Sequence, residues 1–351
     1  MSALFTLGNT PIGPATNPYV IAEVGINHNG YIETALKMID AAKVAGADAV
    51  KFQTFSAEEF CGDPDQQFTY FSEGKQKTES MLEMFKRVEL QADDWKIIKD
   101  HAEAIGITFF STPQNVSDLN LLLPLGITAI KVGSDDLTNL PLIRKYSEHN
   151  LPMILSSGMA DLSEVHRALE AAGWFDSKPV ALLVCTSQYP TPPDDVNIQR
   201  VTTLRAAFPG LLVGFSDHSQ GNEAAIMAVA LGAKIFEKHF TLDHDMVGPD
   251  HWFSLDPQDL KRWIDSIRDA HRMLGTGIVT PSKKEIEMRE IARRSVVVIA
   301  DVRSGEILDE GNIGLRRPGI GLSPEFLPAI LGRIAKRSIG KGSMIHWSDL
   351  A

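Results

Sequence analysis

The feature that most constrains this chain is a rhythm running from residue 19 to about residue 275. A short apolar run is followed by a polar or Gly/Pro turn and then by a stretch of helical period. The runs are YVIAEVG at 19, ADAVKFQT at 47, ITFFST at 107, TAIKVGS at 128, PMILSSG at 152, ALLVCTS at 181, LLVGFSD at 211 and KIFEKHF at 234. Continuous apolarity, rather than alternation, marks strands covered on both faces, as in parallel sheets. Between them, residues 32–46 place Ala35, Leu36, Met38, Ile39 and Ala42 on one stripe and end in Gly46, a natural residue just past a helix end. Residues 161–173 and 222–232 also end in Gly. About eight βα units over about 250 residues predict an α/β chain closed into a (β/α)8 TIM barrel. An open doubly wound sheet shares the local pattern; the count of eight favours closure.

The rhythm breaks in GTGIVTPSKKEIEMRE, which is polar and reads as a linker. Beyond it SVVVIA predicts a strand, DVRSGEIL a turn into a strand, RRPGIGLSP a loop and LPAILGR a short helix. The expected organisation is a barrel domain over 1–278, a linker over 279–292 and a small α+β domain over 293–351. A core that small is marginal alone and is expected to pack on the barrel or on another subunit.

Composition narrows the function. The formal net charge of −11 argues against nucleic acid or an anionic membrane as partner, although a few local lysines can still bind a small anion. Two cysteines, Cys61 and Cys185, form no disulfide framework and no CxxC zinc motif, which suits a reducing cytoplasm. The N-terminus lacks the charged and apolar regions of a signal peptide, and no run approaches the roughly 18 apolar residues of a membrane span.

Barrel active sites form at the C-terminal ends of the strands. The polar residues there are Glu23, Lys51, Gln53, Ser111, Thr112, Lys131, Ser134, Ser156, Ser157, Thr186, Ser187, Ser216, His218, Glu237 and His239. His218 and His239 fall on neighbouring strands. With Glu23 and Glu237 nearby they can hold a divalent metal; the plainer alternative is two unrelated histidines bonded to the backbone. Lys51 and Lys131 lie in apolar strands, where an ammonium needs an anionic partner. That partner is either a substrate phosphate and carboxylate, assisted by Thr112, Ser134, Ser156 and Ser216, or a structural salt bridge to Glu23, Asp136 or Glu237. A Schiff-base role for either lysine is a third option. The turn Asn27-His28-Asn29-Gly30 needs no ligand to explain it, since Asn and Gly tolerate the left-handed region. Tyr189 begins a Pro-rich loop at the predicted barrel mouth, where it is plain loop or ligand contact. Gly319-Ile320-Gly321 lacks the strand-to-helix context of a dinucleotide fingerprint.

The segments IAEVGINHNG at 21, KFQTF at 51, STP at 111, KVGSDDLTNLPLI at 131, SSGM at 156, CTSQYPTPPDDVN at 185, GFSDHS at 214 and EKHFTLDHDMVGPDHWFSLDP at 237 together resemble the sialic acid (N-acetylneuraminate) synthase family. The tail, with LRRPGIG at 315 and KGSMIHWSDL at the end, resembles that family's antifreeze-like SAF domain, a β-clip fold. The resemblance implies a phosphoenolpyruvate-dependent transferase. It would condense phosphoenolpyruvate with N-acetylmannosamine and water to N-acetylneuraminate and phosphate, using Mn2+ or Mg2+. It implies His218 and His239 as metal ligands. Lys51, Thr112, Lys131, Ser134, Ser156 and Ser216 would surround phosphoenolpyruvate, and Glu23, Gln53, Tyr189, Asp250 and Arg317 the sugar. Asp136 and Glu237 would complete the catalytic carboxylates, and Arg317 would reach the partner's barrel in a domain-swapped homodimer. Ser187 stands where some members have Asn, and Asp135 where a Gly is common. Legionaminic or pseudaminic acid synthesis from a 6-deoxy diacetamido sugar is the nearest alternative. A keto-deoxy-octulosonate phosphate type of barrel synthase and a non-catalytic sugar-binding barrel are more distant.

Overall fold

The computed structural model describes residues 5–351. These divide into two compact units, one ending at Gly275 and one beginning at Thr276. The first is the expected closed parallel barrel. Its strands are β1 (Tyr19–Gly25), β2 (Ala49–Thr54), β3 (Thr108–Pro113), β4 (Ile130–Val132), β5 (Met153–Ser156), β6 (Val180–Cys185), β7 (Leu212–Ser216) and β8 (Ile235–His239). They neighbour one another in chain order, and β8 closes on β1 with His239 opposite Glu23.

Eight helices cross back over the outside: α1 (Ile32–Ala45), α2 (Ala92–Ala104), α3 (Val116–Leu122), α4 (Leu140–Ser147), α5 (Leu162–Ala171), α6 (Arg200–Ala207), α7 (Glu223–Ala230) and α8 (Pro257–Met273). Gly46 ends α1 in the left-handed region at φ 95°, as its place in the sequence predicts.

Strand period two sorts the side chains into two cores. Val20, Ala22, Val50, Phe52, Ile130, Leu155 and Phe236 face the helices. Tyr19, Ile21, Ala49, Phe110, Ala129, Ile154, Leu183 and Ile235 fill the barrel interior. The interior-facing positions turn polar only at the C-terminal ends, where Glu23, Lys51, Thr112, Lys131, Ser156, Ser216 and Glu237 follow at the same parity. The opposite end is packed by an N-terminal hairpin, Phe5–Leu7 with Thr10–Ile12, whose Phe5, Leu7 and Ile12 join the interior core.

The stretch between β2 and α2 holds a second hairpin, Gln67–Ser72 with Lys75–Ser80, and a helix, Met81–Val88. Glu79 ties these together by accepting from Tyr70 and Arg87. The turn after β1 is structural, as its composition allows. Asn29 and Gly30 take φ of 56° and 78°. A Cβ on Gly30 would lie 2.5 Å from the Arg87 carbonyl, so only glycine fits. His28 is buried, stacks on Phe52 at 5.9 Å and accepts from the Gly30 amide at 3.0 Å.

In the second unit β9 (Ser295–Val298) pairs antiparallel with β10 (Ile313–Arg316). Val296, Val298, Leu308, Ile313, Ile330, Ile339 and Ile345 form its core. DVRSGEIL makes no strand: Val302 and Ile307 form single bridges, to Ile339 and Ile334, because the chain turns between them. Within the stretch read as linker lies a helix, α9 (Lys283–Ala292), with Ser282 and Glu285 in a capping box. No helix among the described residues is long and apolar enough to cross a membrane.

Burial pushes the His28 imidazole down to about 3. The unfolded chain therefore binds this proton first, from a value near 6.5. The stabilising effect of neutral His28 is present above pH 6.5 and is lost as pH falls towards 3. At pH 5 the loss is about 2 kcal/mol relative to pH 7. Denaturant midpoints at pH 7 and pH 5 should show a larger drop for the wild type than for His28→Gln. An equal drop would remove His28 as the cause.

Candidate active site

A cavity of about 870 Å3 opens at the C-terminal ends of the barrel strands. A larger void of about 1120 Å3 lies among the loops at the other end. Size does not choose between them. The larger one is lined by Lys178 and Arg205, whose charges already bond the carbonyls of Ser147 and Leu231 at helix ends.

In the upper cavity four charged side chains meet in the top interior layer. Lys51 Nζ lies 2.7 Å from Glu23 Oε2 and 3.7 Å from Glu237 Oε2. Lys131 Nζ lies 3.9 Å from Glu237 Oε1 and donates to Ser156 Oγ at 2.7 Å. Lys51 also donates to Thr112 Oγ1 at 3.1 Å, Ser216 to Glu237 at 3.0 Å and Gln53 to Glu23 at 3.3 Å.

The two carboxyl groups are unequal. Burial raises Glu23, Lys51 only partly opposes this, and Glu237 adds to it, so Glu23 holds a proton more readily than a free glutamate. Burial works on Glu237 as well, but two lysines and the Ser216 hydroxyl outweigh it and keep it ionised. Burial lowers Lys131, whereas for Lys51 the two carboxylates overcome burial and hold it charged.

The two histidines meet above this layer, with ring centroids 5.4 Å apart and Tyr189 4.2 Å from His218. His218 Nδ1 lies 2.7 Å from the Thr186 carbonyl, so that nitrogen donates and Nε2 stays free. Burial and the neighbouring His218 push His239 well down, leaving it neutral, as a metal ligand must be. His239 Nδ1 has no hydrogen-bond partner and faces Asp250 Oδ2 at 3.9 Å. Glu237 Oε2 also lacks one, and Glu23 Oε2 touches Lys51 without an aligned hydrogen bond.

Two imidazoles, one of them with an orphaned ring nitrogen, beside the Asp250 carboxyl fit a divalent first-row metal. The lining also contains two lysines and the carboxyl groups of Glu23, Asp135, Glu237 and Asp250, of which Glu23 and Asp250 hold their protons more readily than free acids. Another trio, His244, Asp256 and Asp259, comes together at the start of α8. Its acids are engaged there, Asp256 capping the helix and Asp259 pairing with Arg262.

Gln53, Ser134, Ser187, Tyr189 and Asp250 line the same cavity. Gly158 lies so close that a Cβ would fall 2.3 Å from Ser187 Oγ and 2.6 Å from Ser134 Oγ. Burial and Glu23 raise Asp250 to about 7, with His218 only partly opposing them. Asp136 does not line the cavity; it bonds Asn139 at 2.9 Å, and Asp135 takes the lining place. Ser111, Ser157 and Thr186 also point elsewhere, bonding Phe52, Leu183 and Asp195 carbonyls. Arg317 is an exposed residue of the second unit, in the loop after β10. Sequence reasoning missed Cys185, whose Sγ lies 3.8 Å from His218 Nδ1, and an aromatic outer wall that includes Phe68, Phe71, Phe85 and Trp252.

The NeuB family model matches residues 38–279, and the SAF domain model residues 293–351. The chain belongs to the NeuB family. It is an enzyme, a phosphoenolpyruvate-dependent nonulosonic acid synthase. This NeuB-family chain is 40% identical over 329 residues to the N,N'-diacetyllegionaminic acid synthase of Campylobacter jejuni, covering 93% of this chain and 98% of that protein. With the enzyme of the same name from Legionella pneumophila it shares 36% over 347 residues, 98% of this chain and 97% of that one. The crystal structure of N-acetylneuraminic acid synthetase from Leptospira borgpetersenii superposes with TM-score 0.73 at 34% identity, covering 82% of this chain and 97% of that one.

Glu23→Gln keeps the volume and removes the titratable group. Phosphate release at saturating substrates should fall about 10²- to 10⁴-fold. Unchanged turnover would take Glu23 out of the reacting groups.

Proposed function

We propose that this enzyme joins phosphoenolpyruvate to a 2,4-diacetamido-2,4,6-trideoxy sugar, giving a legionaminate-type acid and phosphate. The sequence alone favoured N-acetylmannosamine. The observation that moves the reading is the apolar outer wall of the cavity, with Phe68, Phe71, Phe85, Met159, Trp252 and Phe253. A methyl group against such a wall gains about 0.8 kcal/mol. A hydroxyl left there without a partner loses about 1–3 kcal/mol. At C6 the diacetamido sugar presents a methyl where N-acetylmannosamine presents a hydroxymethyl, and at C4 an acetamido group where N-acetylmannosamine presents a hydroxyl. The two full-length relatives named as legionaminic acid synthases support the same choice. N-Acetylmannosamine remains the second reading, favoured by Gln53, Gln76 and Gln114 in the same lining and by the Leptospira structure.

In this reading Lys51 and Lys131, with Thr112, Ser134, Ser156 and Ser216, hold the phosphate and carboxylate of phosphoenolpyruvate. C3 attacks the sugar aldehyde carbon, water adds at C2, and the C2–O bond to phosphate breaks. Glu23, which holds a proton readily, gives it to the sugar aldehyde oxygen as C3 attacks and, once ionised, takes a proton from the attacking water, whose second proton leaves with the phosphate. Glu237 stays ionised and keeps both lysines in register. Gln53, Tyr189, Asp250 and Ser187 orient the sugar. A divalent metal, Mn2+ or Mg2+, held by His218 and His239 would polarise the sugar carbonyl. The protein is taken to work in the cytoplasm, consistent with its two free cysteines.

Phosphate release from phosphoenolpyruvate with Mn2+, compared between the two sugars, tests the proposal. The diacetamido sugar should give kcat/KM about 10- to 100-fold higher, about 1.4–3 kcal/mol. The reverse order would make the enzyme an N-acetylneuraminate synthase. The family resemblance further leads us to propose a homodimer in which Arg317 of one protomer serves the cavity of the other. Mixing Arg317→Ala with Glu23→Gln protomers should then recover part of the activity. No recovery in verified mixed dimers would overturn sharing.

A further inference from the structure

A second buried ion pair lies just outside the barrel wall, and the reaction does not use it. Lys238 Nζ lies 2.8 Å from Asp217 Oδ2, with both side chains almost wholly buried. Period two puts Lys238 on the outer face of β8, between the inward-facing Glu237 and His239. Asp217 immediately precedes His218, and Ser219 follows it.

The pair grips both flanks of His218. Asp217 Oδ1 accepts from the Ser219 amide at 2.9 Å and the Ser219 hydroxyl at 2.7 Å. Asp217 Oδ2 accepts from Lys238 and from Trp263 Nε1 at 3.1 Å. Lys238 donates a second time, to the Ser219 carbonyl, and lies 5.7 Å over the Trp263 ring. The Asp217 amide also donates to the Glu237 carbonyl at 2.8 Å. The Asp217 carboxylate thus has four donors from three segments, one of them the fully buried α8 tryptophan.

Burying two charges gives no general gain over apolar packing. What this pair supplies is direction. Each histidine-bearing segment is bonded to the other through one ammonium group, and neither can shift without uncovering a buried charge.

We infer that the Asp217–Lys238 pair is a positioning strut that sets the separation of His218 and His239 for metal binding. The inference rests on the reading of those histidines as ligands. Groups that support ligands from behind commonly change metal affinity 10- to 100-fold. The test is Mn2+ binding by calorimetry to the full chain without substrates, with melting curves to establish folding. Asp217→Asn and Lys238→Met should each bind Mn2+ about 10- to 100-fold more weakly. Lys238→Arg should restore affinity to within about threefold, because it keeps the charge and can donate twice. The double variant Asp217→Leu/Lys238→Met removes both charges together. It should fold and still bind weakly, which separates positioning from stability. Mn2+ affinity within about threefold of wild type in a folded single or double variant overturns the strut. Wild-type Mn2+ affinity that survives His218→Ala overturns instead the assignment of the histidines.

Discussion

The site depends on one arrangement, the buried quartet of Glu23, Lys51, Glu237 and Lys131 at the top of the barrel interior. Below it the interior is hydrocarbon; above it lies the cavity. Charges at that depth persist only when paired, and here each lysine has a glutamate within 4 Å. The pairing is lopsided. Glu237 faces both lysines and is held ionised, whereas Glu23 faces one lysine and a second carboxylate and tends to keep its proton. Two carboxyl groups in one layer are thereby pushed towards different tasks.

The barrel makes the quartet possible through strand parity. Glu23, Lys51, Lys131 and Glu237 come from β1, β2, β4 and β8, and each follows an apolar residue at the same inward parity. Closure of β8 on β1 places His239 opposite Glu23. The acid and the histidine thus come from opposite ends of the barrel sequence and are neighbours only because the sheet is a ring.

Much of this was legible in the sequence, because both the strands and the site obey simple periodicities. Eight continuous apolar runs gave the barrel, and the polar residue ending each run gave most of the cavity lining. The same rule overreached where it ignored period two. It takes Ser111 together with Thr112, and Ser157 together with Ser156, although neighbouring strand residues face opposite ways. The sequence reading expects Asp136 as the carboxylate, but Asp135 lines the cavity instead, because the strand ends at Val132 and beyond a strand end parity no longer fixes direction. The hairpin at Gln67–Ser80 was missed for a related reason. Gln67–Ser72 alternates in burial, but Phe71 interrupts the alternation in sequence, and its partner Lys75–Ser80 is polar on both faces.

That hairpin supplies Phe68 and Phe71 to the cavity lining. In the proposed function the quartet takes the anionic groups, and any substrate of this reaction class brings the same phosphate and carboxylate to it. Discrimination between sugars would then come from the side of the cavity away from the lysines. There Phe71 meets Trp252 edge to face at 5.2 Å, and Trp252 in turn meets Phe253, which packs on Tyr189. Tyr189 lies against His218. The aromatic wall is therefore in continuous contact with the histidine pair. A sugar that does not fill it leaves aromatic surface wet and the aldehyde free to sit off line. Positioning of the reacting carbon is worth several orders of magnitude in rate, so a wall remote from the bond being made can set kcat as well as KM.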